Sequence, residues 1–375
     1  MRFPFRQALE ALQPYPPGKP VEEVQREYGL TDVVKLASNE NPYGPSPMAL
    51  AAISREAGDL HLYPESGCHY LRQKLAEKLD ISPDYLLFGN GSDEVVAMLA
   101  MAYLEPEANI VCSDLAFIRY EMGATSMGAS TKHVPMKDWR HDVDGLAAAV
   151  DANTRFVFLA NPDNPVGSAV TAAEIDRLLA AVPSNVMVAL DEAYYEYAAG
   201  WSDYPNSVAL LQKYPNLVIL RTFSKAYGLA GLRIGYGTAH PDVWDAVDRI
   251  RPPFNANRMA QAAAIAALDD TDHLRRTIEG NAAGREFLYS HLAQLSIEYV
   301  PSHANFVLMD LKRPAAPVYE NLLRRGVIVR PMGMYKLPGH LRVSVGLPRE
   351  NQIFIDALRE VLQAPDAANI ERPRN

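Results

Sequence analysis

The residues in this chain best suited to chemistry are a lysine, an aspartate and an arginine, each set at or near the end of an apolar run. Lys225 lies within Thr222-Phe-Ser-Lys-Ala-Tyr-Gly-Leu-Ala-Gly-Leu-Arg-Ile-Gly235, between Ser224 and Ala226. A lysine in such glycine-rich, largely apolar surroundings gives up its proton readily and acts as an amine nucleophile toward a carbonyl. Arg233 follows eight positions later, flanked by Leu232 and Ile234. Its planar fork in that context calls for an anion, and a phosphate satisfies it. Taken alone, this pair also reads as a solvated lysine and a paired core arginine. Asp191 narrows the choice, because it closes the apolar run at 186–190 and opens Asp191-Glu-Ala-Tyr-Tyr195. A carboxylate at the end of a buried strand needs a cation or hydrogen-bond donors. A protonated pyridine nitrogen is such a cation, and keeping it protonated makes the ring an electron sink. Capping of the next helix is the plainer alternative. Tyr194, three residues on, is spaced to reach a phenolic oxygen on the same ring, unless it is an ordinary half-buried tyrosine.

Two further segments carry polar groups past the ends of apolar runs. In Asn161-Pro-Asp-Asn-Pro-Val-Gly167 the two prolines fix a turn that cannot extend the preceding strand. Asn164 stands at its centre, where its amide can serve the same phenolic oxygen or simply make the turn. Gly89-Asn-Gly-Ser-Asp-Glu94 opens a helix bearing Val95, Val96, Met98 and Leu99. Glycines ahead of a helix N-terminus expose backbone N–H groups that attract phosphate. Ser92 is the expected N-cap, with Asp93 in the first turn. A third glycine for a dinucleotide fingerprint is lacking, and so is any Walker sequence.

The elements that must position these groups follow from the hydrophobic pattern. Between residues 36 and 237, short apolar runs at 85–88, 109–112, 156–160, 186–190 and 217–220 alternate with helical stretches. Runs of four or five, apolar on both faces, suit strands covered by helices on each side. Thr171-Ala-Ala-Glu174 reads as a capping box opening a helix with Ile175, Leu178 and Leu179 on one face. The alternation predicts an α/β fold with a mostly parallel central sheet, in which ligands gather at the strands' C-terminal edge. Beyond about residue 251 come helices over 259–268 and 273–295, strands at 305–309, 327–330 and 341–345, and a last helix at 350–363. These predict a smaller α+β domain. The expected division is a large domain over 31–258, with 1–30 and 259–375 forming the small domain and an N-terminal arm. Pro14-Tyr-Pro-Pro17 reads as extended.

Composition excludes several classes. The chain has 375 residues, 36 Lys+Arg against 45 Asp+Glu, and a formal net charge of −9. That balance argues against a nucleic-acid partner, which needs a basic surface. The two cysteines, Cys68 and Cys112, imply no disulfide framework, and the nine histidines form no metal-ligand spacing. The N-terminus is too charged and too rich in proline for a signal peptide, and no stretch has the roughly 18 apolar residues of a membrane span. A cytoplasmic protein without a membrane partner is expected.

Together these segments resemble the fold-type I aminotransferases, and most of all the histidinol-phosphate aminotransferase family with its aromatic aminotransferase relatives. The resemblance covers residues 36–358. It rests on Asn39-Glu-Asn-Pro-Tyr-Gly44, Tyr63-Pro-Glu65, Gly89-Asn-Gly-Ser-Asp-Glu94, Asn161-Pro-Asp-Asn-Pro165, Asp191-Glu-Ala-Tyr194, Phe223-Ser-Lys-Ala226 and Leu341-Arg-Val-Ser-Val-Gly346, in the family's order. It implies pyridoxal 5′-phosphate as cofactor, with Lys225 forming the Schiff base and shuttling a proton. It implies Asp191 on the pyridine nitrogen, Asn164 and Tyr194 on the ring oxygen, and Phe117 stacked on the ring face. Gly91, Ser92, Asp93, Thr222, Ser224 and Arg233 fall to the phosphate side. Tyr63 resembles the tyrosine that reaches the phosphate from the neighbouring subunit, which implies a homodimer. For the substrate's acidic group the resemblance implies Arg342 and Tyr15. Arg330 and Asn305 are further candidates. Arg330 and Arg342 lie among apolar residues and should each meet an anion, a structural ion pair being the plainer reading of both.

The reaction implied is transamination between an amino donor and a 2-oxo acid, with histidinol phosphate and 2-oxoglutarate first in order and a place in histidine biosynthesis. Aromatic amino acids are the close alternative. Decarboxylation of a phosphorylated amino acid uses a very similar scaffold. A regulator with an aminotransferase-like sensor would need a DNA-binding module, and only about 35 residues precede Leu36. The chain departs from the family pattern at Asp114, Arg119 and Arg258, and in the turn at Asp163 and Val166, where asparagine and threonine are common.

Overall fold

The computed structural model of the chain describes residues 3–14 and 18–363. Its contacts divide the described residues into two compact units: one formed by residues 3–14, 40–280 and 301–305, the other by 18–39, 281–300 and 306–363.

The first unit is built on a sheet in which, among the described residues, seven strands pair: β1 Leu86–Gly89, β2 Asn109–Ser113, β3 Ser130–Val134, β4 Thr154–Ala160, β5 Met187–Asp191, β6 Leu217–Thr222 and β7 Gly235–Ala239. Their order is β1-β7-β6-β5-β4-β2-β3. β7 runs antiparallel to both neighbours, and the remaining pairs are parallel. The five expected strands are all present, and the sheet is mostly parallel as predicted. Successive side chains leave a strand on opposite faces, so a run apolar at every position feeds two cores. Phe156, Phe158, Ala189, Val218 and Leu220 join one core, with helix residues Val96, Leu99 and Trp244. Val157, Leu159, Val188, Leu190 and Ile219 join the other, with Ile175, Leu178 and Leu179. The capping box forms as expected: Glu174 N–H donates to Thr171 Oγ1 at 3.2 Å, and Thr171 N–H donates to Glu174 Oε2 at 2.7 Å.

Two strands of this sheet escaped the pattern. β3 is Ser-Thr-Lys-His-Val at the sheet edge, where one flank meets solvent and no apolar run is needed. β7, Gly-Tyr-Gly-Thr-Ala, is buried but carries two glycines and no aliphatic run.

In the second unit, β8 Glu298–Val300, β9 Phe306–Asp310, β10 Arg330–Pro331 and β11 His340–Ser344 pair antiparallel in the order β10-β11-β9-β8. Val307, Met309, Leu341 and Val343 pack against Phe354 and Leu358 of the helix Pro348–Gln363 and against Leu288 and Leu292. The strand expected at 327–330 is divided. Val327–Ile328 pairs in parallel with Val34–Lys35, while Arg330–Pro331 joins β11. Pro331 has no N–H to offer a second neighbour, in keeping with its edge position. Among the described residues no helix is long and apolar enough to cross a membrane.

Candidate active site

The register of the large sheet brings three chain segments to one edge. Gly235, the first residue of β7, is paired with Gly89 at the end of β1 and with Thr222 at the end of β6. The loop after β1 therefore meets the loop after β6 and the residues just before β7. The ends of β4 and β5 lie along the same C-terminal edge, with Ala160 paired to Asp191.

The β1 loop leads into the helix Ser92–Tyr103. Ser92 is its first residue, not its N-cap. Gly91 caps it, with φ of 86° and no side chain to satisfy the first-turn amides. A helix start left without a side-chain cap presents backbone donors to an incoming anion. A Cβ built on Gly91 would lie 2.6 Å from Arg233 Nη2, so the guanidinium sits directly against this turn. Arg233 Nη1 donates to Ser224 Oγ at 3.4 Å and to Ala230 O at 3.0 Å, and Thr222 Oγ1 donates to Ser224 Oγ at 2.9 Å. Gly91, Ser92, Thr222, Ser224 and Arg233 are thus gathered as one cradle of hydroxyls, amides and a cation. Asp93, in the first helical turn, makes a 2.6 Å ion pair with Arg119.

Asp191 ends β5, 6% exposed. Its Oδ2 accepts from Tyr120 Oη at 2.7 Å and its Oδ1 from Ala193 N–H at 3.1 Å. Burial pushes its carboxyl up to about 6, against the opposing pull of those two hydrogen bonds, with Asp93 and Glu192 adding to the rise. A buried acid in this condition fits a cationic ring nitrogen, which would draw it back to the ionised form. Tyr194 is buried, and Lys225, half-buried in the loop after β6, has its Nζ 5.7 Å from the centre of the Tyr194 ring. The amine and the carboxylate thus stand past the ends of adjacent strands, with Tyr194 between them in the chain's path. The donor cradle, the buried carboxylate and the lysine together fit pyridoxal 5′-phosphate.

Tyr120 gave no signal in the sequence. It is fully buried in the helix Arg119–Ser126, stacked on Phe158 at 4.7 Å and edge-on to Phe117 at 5.7 Å. It therefore touches both the expected ring-stacking residue and the expected nitrogen partner. Asn164 is half-buried in the turn after β4. That turn begins with a cis Asn161–Pro162 bond and is tied to β5 by Asn161 N–H donating to Asp191 O at 2.8 Å.

The remaining expected residues lie elsewhere. Asn305, in the first unit, is buried and donates to Glu40 O at 3.4 Å. Arg330 and Arg342 face one another in register between β10 and β11 of the second unit, both buried. Arg342 donates to Ala37 O at 3.2 Å and lies 5.0 Å over the Phe306 ring, and Arg330 Nη2 donates to Met334 Sδ at 3.3 Å. Tyr63 is 78% exposed, its ring stacked on Phe254 at 4.6 Å. Tyr15 falls outside the described residues. The three charged departures all have protein partners. Asp114 accepts from Met136 N–H, Arg119 pairs with Asp93, and Arg258 pairs with Glu56 at 3.0 Å while donating to Tyr63 O at 3.3 Å.

Known proteins match this chain along nearly its whole length. The profile of Aminotransferase class I and II matches residues 31–358. A histidinol-phosphate aminotransferase of Moorella thermoacetica is 47% identical over 358 residues, 95% of this chain and 92% of the relative. Histidinol-phosphate aminotransferase 1 of Nitrosococcus oceani is 48% identical over 355 residues, 95% and 96% of the two. Among solved structures, that of histidinol-phosphate aminotransferase from Sinorhizobium meliloti in complex with pyridoxal-5′-phosphate superposes with a TM-score of 0.88 at 34% identity. It covers 96% of this chain and 97% of its own. The sheet order, the cradle at its C-terminal edge and this breadth of similarity have one reading: the chain belongs to the class I and II aminotransferases.

Proposed function

We propose that the protein is a pyridoxal 5′-phosphate-dependent aminotransferase that moves the amino group of histidinol phosphate to 2-oxoglutarate, giving imidazole acetol phosphate and glutamate. The cofactor, when bound, supplies an aldehyde carbon and an electron-withdrawing ring. Lys225 supplies the amine that holds it and then moves the proton at the substrate's α-carbon. With the cofactor bound, Asp191 would keep the ring nitrogen protonated, Asn164 and Tyr194 would donate to the ring oxygen, and Phe117 would cover a ring face. The backbone amides of Gly91, Ser92 and Asp93, with Thr222, Ser224 and Arg233, would serve the phosphate. The donor's own acidic group falls to Arg330 and Arg342, with Tyr15 and Asn305 assisting.

The observation that carries the cofactor assignment is Asp191. A buried carboxylate that, among the described residues, accepts two hydrogen bonds and faces no cation is poorly satisfied until one arrives. The substrate assignment is supported by the names of the relatives at 47% and 48% identity.

The enzyme acts as a homodimer in the cytoplasm, with Tyr63 reaching the phosphate of the neighbouring subunit. Leu60, Leu62, Tyr63 and Phe254 are each exposed, with Tyr63 stacked on Phe254, which supports a partner surface there.

Purified protein supplied with cofactor and 2-oxoglutarate is to be assayed with histidinol phosphate, with phenylalanine and tyrosine, and for carbon dioxide release. The expected result is glutamate formation with kcat/KM highest for histidinol phosphate and no carbon dioxide. Faster turnover of an aromatic donor overturns the substrate, and stoichiometric carbon dioxide overturns the reaction.

A further inference from the structure

A buried polar cluster lies beneath the cofactor edge, using residues that the proposed chemistry leaves idle. His141 is 5% exposed, and Ser113 and Asp163 are fully buried. The His141 ring has Nδ1 2.6 Å from Ser113 Oγ and Nε2 2.9 Å from Ala160 O. Nε2 also lies 3.3 Å from Asp163 Oδ1. A carbonyl and a carboxylate only accept, so Nε2 carries the hydrogen it donates. That hydrogen points to Ala160 O. Among the described residues Asp163 Oδ1 accepts no hydrogen bond, and the imidazole edge lies close beside it. Asp163 Oδ2 accepts from Val166 N–H at 3.0 Å, and the Asp163 backbone pairs with Ser168 and Gly167 at 2.8 and 2.9 Å.

The three partners of His141 stand at the roots of two different functional segments. Ser113 ends β2 and its carbonyl accepts from Ala116 N–H at 3.1 Å, opening the segment that carries Phe117. Ala160 ends β4, and Asp163 precedes Asn164 in the turn. β2 and β4 are neighbours in the sheet, but their recorded pairing covers residues 109–111 on β2 and stops two residues short of Ser113. Beyond that point the backbone ladder no longer ties the two loops together, and the imidazole spans the gap. A buried polar network held at both ends fixes geometry more tightly than apolar packing does.

We propose that His141 is a positioning residue for the cofactor site, setting the Phe117 segment and the Asn164 turn at a fixed spacing through Ser113, Ala160 and Asp163. The inference rests on the reading of Phe117 and Asn164 as cofactor contacts.

The test uses full-length His141→Leu, His141→Gln, Asp163→Asn and Asn164→Ala proteins, each prepared as apoenzyme and reloaded with pyridoxal 5′-phosphate. Three quantities are read: apoenzyme melting, the cofactor dissociation constant, and the pH midpoint of the bound cofactor's visible band. Donation to the ring oxygen holds that midpoint down, so a displaced Asn164 raises it. His141→Leu is expected to weaken cofactor binding about tenfold, as loss of a supporting partner does. It should also raise the midpoint by about 0.5 pH unit. His141→Gln, which keeps a donor toward Ala160, recovers part of both effects, and Asp163→Asn produces a smaller change of the same sign. A wild-type midpoint and dissociation constant in His141→Leu, beside a raised midpoint in Asn164→Ala, overturns the positioning role. Wild-type midpoints in both overturn the assignment of Asn164 and the inference with it. If His141→Leu yields no folded apoenzyme, His141→Gln and Asp163→Asn decide, and wild-type values in that pair overturn it.

Discussion

Asp191 sits where water cannot solvate it, and its pKa records the cost. Burial lifts the carboxyl from an ordinary 3.8 to about 6, even with Tyr120 and Ala193 donating to it. A carboxyl group whose folded pKa exceeds its unfolded value binds its proton more tightly in the folded chain. Its stabilising contribution is therefore complete below about pH 4 and is lost progressively as pH rises through about 6. The full span corresponds to about 3 kcal/mol in the apoenzyme. Asp191→Asn removes that titration. The melting temperature of the apo variant minus that of apo wild type should climb between about pH 4 and pH 6 and level off above, whatever the constant offset of the substitution. Scanning calorimetry on both proteins checks it, and a flat difference refutes the buried-acid account. The same variant, once loaded, should lose several orders of magnitude in turnover because the electron sink is gone. Lys225 and Asp191 stood out in the sequence as candidates because each charge lies at or near the end of an apolar run. Tyr120 and His141 did not. Each is a single polar residue whose partner lies far away in the chain, 71 residues on for Tyr120 and 28 residues back for His141. No local spacing carries such a contact.

Elements with alternating or continuous apolar runs could be read directly, because the run itself is what the buried faces require. β3 and β7 could not, since an edge position and close backbone approach replace apolar side chains there with polar ones and glycine. β7 matters most, because its first residue joins the ends of β1 and β6. A Cβ on Gly235 would fall 2.3 Å from Ser92 N and 2.7 Å from Gly91 C, both backbone atoms of the helix start. Backbone cannot step aside as a flexible side chain does, so the strand and the helix N-terminus must separate. Gly235→Ala should then lower apoenzyme stability by about 1–3 kcal/mol, the usual cost of overpacking. It should also weaken cofactor binding about tenfold, a loss of about 1.4 kcal/mol. Denaturant melts and cofactor titration of the apoenzyme measure the two effects. A stable variant with unchanged cofactor affinity shows that the cradle does not depend on this contact. The division at 327–331 has a similar origin: one apolar run served two sheets, and the sequence has no mark for where a strand changes partner.

At the scale of the whole molecule, the proposed homodimer bears on whether each site is complete. Tyr63 is exposed on its own chain and stacked on Phe254, while Arg258 donates to its backbone carbonyl. The ring is therefore held in a fixed outward pose, as a residue that serves a neighbouring subunit would need to be. If Tyr63 acts across a two-fold axis, each site combines Lys225 of one chain with Tyr63 of the other, the isologous arrangement of a symmetric dimer. Lys225→Ala and Tyr63→Ala chains, denatured together and refolded, then form hybrids with one doubly defective site and one wholly native site. Random pairing makes about half of the dimers hybrid, so the mixture should recover about a quarter of wild-type activity. Lys225→Ala alone should be inactive, and Tyr63→Ala alone should hold its cofactor weakly. If Tyr63 instead serves its own chain, every site in every hybrid carries one defect, and the mixture shows no more activity than its two parents averaged. Steady-state rates at saturating donor, with the tagged hybrid isolated by two-step affinity purification, separate these results. Activity in the purified hybrid at half the wild-type value, with cofactor affinity at one site restored, is the outcome that a shared active site requires.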